Sequence, residues 1–142
     1  PGPVLIVEGA SDVAAGLTLG LCVVGRPSNT GGVEYLTKLL RKHLDRRIVI
    51  IGERDEKDEL PATHDAKCLC CGCCFPGKFG AVQTSIRLSK QLDRIVEWSF
   101  VPGGYAKDLR DWLTNMPANP NNEQAMRRLA DSLTRRIRRA IH

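Results

Sequence analysis

Four short, mainly apolar runs divide the chain into a regular pattern. They cover residues 4–7, 21–24, 47–52 and 95–101. Apolar runs of this length, bounded by glycine and polar residues, are typical of strands that are buried on both faces of a parallel sheet. The runs therefore predict four parallel strands.

Helical spacing of apolar residues fills the intervals between these runs. We predict a first helix that Ser11 caps and that continues to Leu19, a second over residues 33–44, a third near 79–93 and a short one over 107–113. Because strands and helices alternate, the pattern predicts an α/β, Rossmann-like fold. It would contain a four-stranded parallel sheet with helices on both faces.

The last segment of the chain combines an apolar stripe with a cluster of arginines. Apolar residues recur at helical spacing from Met126 to Ile141, which predicts an extra C-terminal helix that packs on the sheet or on a partner domain. The arginines of this segment are Arg127, Arg128, Arg135, Arg136, Arg138 and Arg139. Against Glu123 and Asp131 they leave a charge of +4, most of the +5 of the whole chain. This helix could bind a polyanion, although a solvated helix face would have the same composition.

The pattern also predicts how the chain is organised. We assign residues 1–116 to one domain, with a long polar and cysteine-rich insertion at about 53–77, and residues 117–142 to a linker and the basic helix. The longest apolar stretch, 13–24, is shorter than the roughly 20 residues that a bilayer requires, so we expect no membrane segment. Because the sequence begins at Pro1, we expect it to be part of a larger protein.

Five of the six cysteines lie in the insertion, between residues 68 and 74. Disulfide frameworks space their cysteines apart, so this crowding indicates reduced thiols and a cytoplasmic protein. A two-residue spacing of thiolates is also typical of tetrahedral Zn²⁺ sites, whereas the iron–sulfur pattern would need a further cysteine and a proline. The candidate Zn²⁺ ligands are Cys68, Cys71, Cys74 and His64. We take thiols without metal as the expectation and structural Zn²⁺ as the alternative.

Carboxylates follow three of the four predicted strands. Glu8 ends the first run, Glu53 and Asp55 follow the third, and Asp108 comes after the fourth, while Asp12 lies four residues beyond Glu8. In open parallel sheets, ligands bind beyond the carboxyl ends of the strands. Carboxylates gathered there would repel one another, and a divalent cation such as Mg²⁺ would relieve the repulsion. The pattern predicts a Mg²⁺ site, with isolated acidic residues facing water as the alternative.

At these positions the chain resembles the Toprim domain that bacterial-type primases, topoisomerases and OLD-type nucleases share. The resemblance covers residues 3 to about 113. Its motifs are Glu8-Gly9-x-x-Asp12-x-x-Ala15, Gly25 after the second strand, the run 48–55 that ends in Gly52-Glu53-Arg54-Asp55, Gly77-Lys78-Phe79-Gly80-Ala81, and Gly104-x-x-Lys107-Asp108-x-x-Asp111. The last motif is similar to the turn of primases and of phage or plasmid primase-helicases.

The resemblance implies a role for each acidic residue. Glu8 would act as general acid or base and as a metal ligand, and Gly9 would allow the tight turn that places it. Asp55 would be catalytic and would bind Mg²⁺ or Mn²⁺ together with Glu53 and Asp108. Glu53 departs from the family, which has aspartate at that position.

The resemblance further implies the Toprim module of a DNA primase-like enzyme, a nucleotidyltransferase of DNA replication. Its partners would be a DNA template, nucleoside triphosphates and other domains, and Lys57, Lys78 and Lys107 would contact phosphates. Two alternatives stay open, an OLD-type nuclease and a non-catalytic, nucleic-acid-binding or scaffold domain. We expect little or no priming by residues 1–142 alone, because primases of this kind use a fused basic subdomain to hold the template.

Overall fold

A computed structural model describes residues 2–59, 62, 64 and 71–140 of the chain. Over these residues strands and α-helices alternate, and a 3₁₀ turn follows the second helix. In chain order the elements are β1 (Val4–Glu8), α1 (Ala10–Thr18), β2 (Cys22–Arg26), α2 (Val33–Leu40) with the 3₁₀ turn Arg41–His43, β3 (Ile48–Gly52), α3 (Pro76–Leu92), β4 (Glu97–Phe100), α4 (Leu109–Thr114) and α5 (Glu123–Ala140).

The strands form one sheet in the order β2-β1-β3-β4, and every neighbouring pair is parallel. Val4 pairs with both Cys22 and Ile48, so β1 is a central strand. All five residues of β3 are buried, as are four of the five in β1. This confirms the four-stranded parallel sheet, and the continuous apolar runs are explained by burial on both faces.

The sheet separates two apolar cores, one on each face. Helices α1, α4 and α5 cover one face, and their core includes Leu5, Val7, Val49, Ile51, Leu109, Trp112 and Leu133. Helices α2 and α3 cover the other face, with Val4, Ile6, Ile48, Ile50, Leu36, Leu40 and Leu88. The predicted placement of helices on both faces is confirmed.

Helix α5 packs into the same core as α1 and α4. Met126 is nearly buried, and Leu133 and Ile137 are fully buried, so the predicted apolar stripe faces the sheet; Ile141 lies outside the described residues. The first arginine pairs, 127–128 and 135–136, are exposed. Within the part of the chain that the structure describes, no helix is both long and apolar enough to cross a bilayer.

The predicted start of α1 is wrong. The helix begins at Ala10, one residue before Ser11, and its N-cap is Gly9, which makes no side-chain cap. Gly9 has φ of 84°, a left-handed conformation that residues with a Cβ rarely adopt. The tight turn predicted at Gly9 is therefore present, and Ser11 is an exposed residue inside the helix.

Other boundaries also differ from the predictions; β4 (Glu97–Phe100) and α4 (Leu109–Thr114), for example, each begin two residues later than predicted. Strand β2 does not end before Gly25 but continues to Arg26, because it pairs with β1 over its whole length. Helix α2 ends at Leu40 rather than at residue 44. Helix α3 begins at Pro76, whose fixed φ suits the first turn of a helix.

Candidate metal centre

Three carboxylates from separate parts of the chain meet beyond the carboxyl ends of the strands. Asp12 lies in the first turn of α1, Glu53 directly follows β3, and Asp108 is the N-cap of α4. One oxygen of each lies within 4.8 Å of an oxygen of the other two. Asp12 and Asp108 are buried, at 3% and 7% exposure, and Glu53 is partly exposed. We call these three residues the acidic cluster.

The first turn of α4 holds two members of the acidic cluster in place. Asp108 accepts a hydrogen bond from the backbone N–H of Asp111 (2.7 Å), and Asp111 in turn accepts one from the N–H of Lys107 (2.9 Å). Asp12 accepts from the N–H of Arg110 at 3.0 Å, across 98 residues of sequence. Each of these bonds uses one carboxylate oxygen, and a carboxylate has a second oxygen with which to bind a cation.

Burial makes the charge of Asp12 costly. The pKa of Asp12 rises from 3.8 to about 6. Loss of solvent is the largest cause, and the charges of Asp108 and Glu53 contribute to the same increase. The N–H of Arg110 acts in the opposite direction, because it favours the ionised form. Asp108 is paired with Arg110 Nη2 at 3.8 Å and Glu53 with Lys107, so a bound cation would act chiefly on the charge of Asp12.

Glu8 lies beside the acidic cluster and forms an ion pair. It ends β1 directly opposite Arg26, the last residue of β2, and Arg26 Nη2 lies 3.3 Å from Glu8 Oε2. The Arg26 side chain is fully buried, and it also donates to the Asn29 carbonyl and to the Thr84 hydroxyl. Burial raises the pKa of Glu8, the Arg26 charge opposes that increase, and the charge of Glu53 reinforces it.

Sequence reasoning missed the pairing of Arg26 with Glu8, although Gly25 and Arg26 follow the second apolar run. The signal was present in the sequence, because a charged residue directly after an apolar strand lies at the strand end where Glu8 also lies. Recognising the pair required the strand order, which places β2 beside β1.

Asp55 has a structural contact of its own. Its Oδ1 accepts a hydrogen bond from the N–H of Gly77, in the first turn of α3, at 2.7 Å. A Cβ at Gly77 would lie 2.7 Å from that same oxygen, so glycine is required for this close approach. The structure therefore places Asp55 at the start of α3 and not in the acidic cluster, although its charge is near enough to raise the pKa of Glu8.

Of the three predicted phosphate-binding lysines, Lys107 reaches the acidic cluster. Its Nζ lies 3.3 Å from Glu53 Oε2, and this contact raises the pKa of Lys107. Lys78 lies in the first turn of α3 and is partly buried, and Lys57 is exposed.

Arg54 is a second residue that sequence reasoning missed. Its guanidinium lies 4.4 Å from the centroid of the Phe100 ring and donates to the Val101 carbonyl at 3.0 Å. Its backbone N–H donates to the Lys107 carbonyl at 2.8 Å. These contacts connect the segment after β3 to the segment after β4, and so fix Glu53 relative to Asp108.

The predicted Zn²⁺ ligands come together in part. His64 and the sulfurs of Cys71 and Cys74 provide ligand atoms that all lie within 4.8 Å of one another. Cys68, the fourth predicted ligand, lies outside the described residues.

The acidic cluster fits a small divalent cation. Mg²⁺ binds oxygen at about 2.0–2.1 Å, so two oxygens on one ion lie about 3 to 4 Å apart. The carboxylate oxygens, which lie within 4.8 Å of one another, need to approach by at most about 2 Å to meet that spacing. Hard oxygen ligands, two of them buried, are the chemistry that such an ion prefers. Comparison of the chain with protein-family models, with curated proteins and with solved structures gives no match.

Proposed function

We propose that the protein is the Toprim module of a DNA primase-like enzyme, which carries out Mg²⁺-dependent nucleotidyl transfer on nucleic acid. The observation that carries the proposal is the acidic cluster, in which carboxylate oxygens from α1, from the end of β3 and from the start of α4 lie within 4.8 Å of one another and burial raises the pKa of Asp12. The Toprim-like motifs at Glu8, at residues 53–55 and at Lys107-Asp108 support the same assignment.

Asp12, Glu53 and Asp108 would hold the cation. When bound, Mg²⁺ would stabilise the charge that develops on phosphoryl oxygens and on the leaving oxygen. The sequence motifs placed Glu8 and Asp55 among the ligands; their positions beside the cluster suit roles in proton transfer and in fixing α3.

Glu8 is suited to proton transfer. Its side chain is 28% exposed, so a substrate hydroxyl could reach it, and burial together with its acidic neighbours raises its pKa. A carboxyl with a raised pKa is closer to the pH at which a general acid or base works best. Arg26 holds this carboxylate in one orientation, and its fully buried guanidinium cannot turn away to solvent.

Lys107 supplies positive charge at the same edge of the sheet. Its side chain is half exposed and lies against Glu53, so its ammonium group could contact a phosphate that binds at the acidic cluster. A phosphate oxygen and Glu53 would then share the ammonium group, which has three donors.

A second candidate function, a non-catalytic nucleic-acid-binding or scaffold domain, is favoured by one observation. Glu8 and Asp55, the two residues predicted to be catalytic, already bind protein groups, namely Arg26 and the N–H of Gly77. If those contacts persist when nucleic acid binds, the protein would bind without reacting. The OLD-type nuclease remains a variant of the first proposal, since it would use the same cation site for hydrolysis.

An activity assay distinguishes these functions. Because residues 1–142 alone are expected to prime little, the protein is fused to a basic template-binding subdomain and incubated with Mg²⁺ or Mn²⁺, single-stranded template, nucleoside triphosphates and, separately, plasmid DNA. Primer synthesis supports nucleotidyl transfer, and D108N should lower its rate by about 100-fold or more, because loss of even an outer-sphere partner costs 10- to 100-fold. The control is D131N, because Asp131 lies with Gly2 and Pro3 at the opposite end of the sheet. DNA cleavage without synthesis would favour the nuclease, and cation-dependent DNA binding with neither reaction would overturn the catalytic proposal.

A further inference from the structure

A second group of potential metal ligands lies between β3 and α3, outside the acidic cluster. His64 and Cys71 are partly buried and Cys74 is buried, at 1% exposure. Their ligand atoms, one nitrogen or sulfur from each, lie within 4.8 Å of one another. Soft sulfur and imidazole ligands differ from the hard oxygens of the acidic cluster, and they select a different class of metal.

We propose that His64, Cys71 and Cys74 bind a structural Zn²⁺ ion that fastens the insertion to the start of α3. In a tetrahedral site with Zn–S of about 2.3 Å and Zn–N of about 2.0–2.1 Å, the ligand atoms are roughly 3.5 to 3.8 Å apart. The ligand atoms observed here need to close by about 1 Å at most. The inference is independent of the proposed function, since it concerns other residues and another metal.

The backbone around the cysteines is already arranged as a metal-binding turn. Cys71 directly precedes a tight turn over residues 72–74, and Cys74 is the last residue of that turn. The N–H of Cys74 donates a hydrogen bond to Cys71 Sγ at 3.3 Å. When the metal is bound, this N–H would donate to the Cys71 sulfur and orient it as a ligand. The N–H of Phe75 donates to the Cys71 carbonyl at 3.3 Å, so the turn leads directly into α3.

The described residues of the insertion before the cysteine turn are mostly exposed. Residues 56–59 and 62 are exposed, so they contribute no apolar core. His64 nevertheless lies partly buried against the cysteine turn. A metal bond between His64 and the two cysteines would close this loop, and metal binding to such a segment contributes directly to the free energy of folding.

The Zn²⁺ site would also stabilise the segment that carries Asp55, beside the acidic cluster. The N–H of Lys57 donates to the Cys74 carbonyl at 2.8 Å, and three residues after Cys74 the N–H of Gly77 donates to Asp55. Zn²⁺ bound to the turn would therefore hold both ends of the segment that carries Asp55. We expect that removing the metal shifts the amide resonances of Lys57 and Gly77, and leaves those of α5 in place.

The test uses metal analysis and cobalt substitution of the full chain. Protein purified without chelator should contain one equivalent of Zn²⁺, and the metal-free protein titrated with Co²⁺ should give tetrahedral visible bands with a thiolate-to-cobalt charge-transfer band at one equivalent. C71S and H64A should weaken Co²⁺ binding by about 100-fold or more, since loss of even an outer partner costs 10- to 100-fold. The matched control is C73S, because Cys73 is an exposed cysteine of the same turn.

Two further controls keep the test decisive. D108N should retain the full charge-transfer band, which shows that Co²⁺ has not been captured by the acidic cluster. Circular dichroism of metal-free C71S and H64A should match that of the metal-free parent, which excludes misfolding as the cause of lost binding. The proposal would be overturned if C73S lost Co²⁺ binding as much as C71S, or if the cobalt spectrum lacked a thiolate band. It would also be overturned if freshly purified protein contained iron in place of zinc, or a disulfide between Cys71 and Cys74.

Discussion

Replacing Asp12 with asparagine tests whether the acidic cluster is built for a cation at the expense of stability. Asparagine has the same shape as aspartate, and its carbonyl oxygen can still accept the hydrogen bond from Arg110 N–H. The substitution therefore removes the charge and keeps the contact. Asp131→Asn, on the exposed side of α5, is the matched control.

The magnitude follows from the pKa of Asp12. Below pH 3.8 the carboxyl is protonated in both the folded and the unfolded chain, and it contributes no difference in stability. As the pH rises toward 6, the unfolded chain releases this proton while the folded protein retains it, so the free energy of unfolding falls. A difference between 3.8 and about 6, at about 1.4 kcal/mol per pH unit, corresponds to roughly 3 kcal/mol above pH 6.

Urea denaturation in the presence of chelator measures the effect. D12N should match the parent near pH 4 and exceed its free energy of unfolding by up to about 3 kcal/mol at pH 7.5. Added Mg²⁺ should then stabilise the parent more than D12N, because a ligand that binds only the folded state raises its stability. If D12N is less stable than the parent at both pH values, or if Mg²⁺ stabilises the two equally, the reasoning is refuted.

Three further predictions concern the fold around the site. Arg26→Met should lower the free energy of unfolding by about 3 kcal/mol in urea denaturation, because it removes the partner of Glu8 from a buried pair; a loss below about 1 kcal/mol would show that the pair contributes little. Gly9→Ala should cost about 1–2 kcal/mol, because φ of 84° strains a residue with a Cβ, whereas Gly2→Ala, in open space, should cost almost nothing. Leu133→Ala should cost about 2–5 kcal/mol and Leu17→Ala, at 61% exposure, much less; equal effects would show that α5 does not belong to the core.

The fold could be predicted from the sequence because parallel strands buried on both faces leave a direct signature. The run before Glu8 and the run before Glu53 are continuous apolar segments, and both are central strands of the sheet. The rule that ligands bind beyond the carboxyl ends of strands then brought Glu53 and Asp108 to one edge. Glu53 and Asp108, which are 55 positions apart, could be placed together in this way because the sheet topology alone determines which strand ends meet.

The details of the site could not be predicted, because they depend on contacts between segments that are distant in sequence. Asp12 enters the acidic cluster through its bond to Arg110, and Asp55 turns to the N–H of Gly77. Both contacts depend on how α4 and α3 dock on the sheet, which local patterns do not determine. The wrong cap at Ser11 has a local cause, since Gly9 already adopts the conformation that starts the helix.

The most direct test of the acidic cluster as a cation site is a Mn²⁺ titration that is monitored by the amide NMR spectrum. Mn²⁺ is paramagnetic and broadens the resonances of residues near it. The account predicts broadening at substoichiometric Mn²⁺ of residues 9–13, 53–55 and 107–111, competition by Mg²⁺, loss of the effect in D108N and retention in D131N. Broadening that is spread over exposed acidic residues, or that is the same in D108N as in the parent, would contradict it.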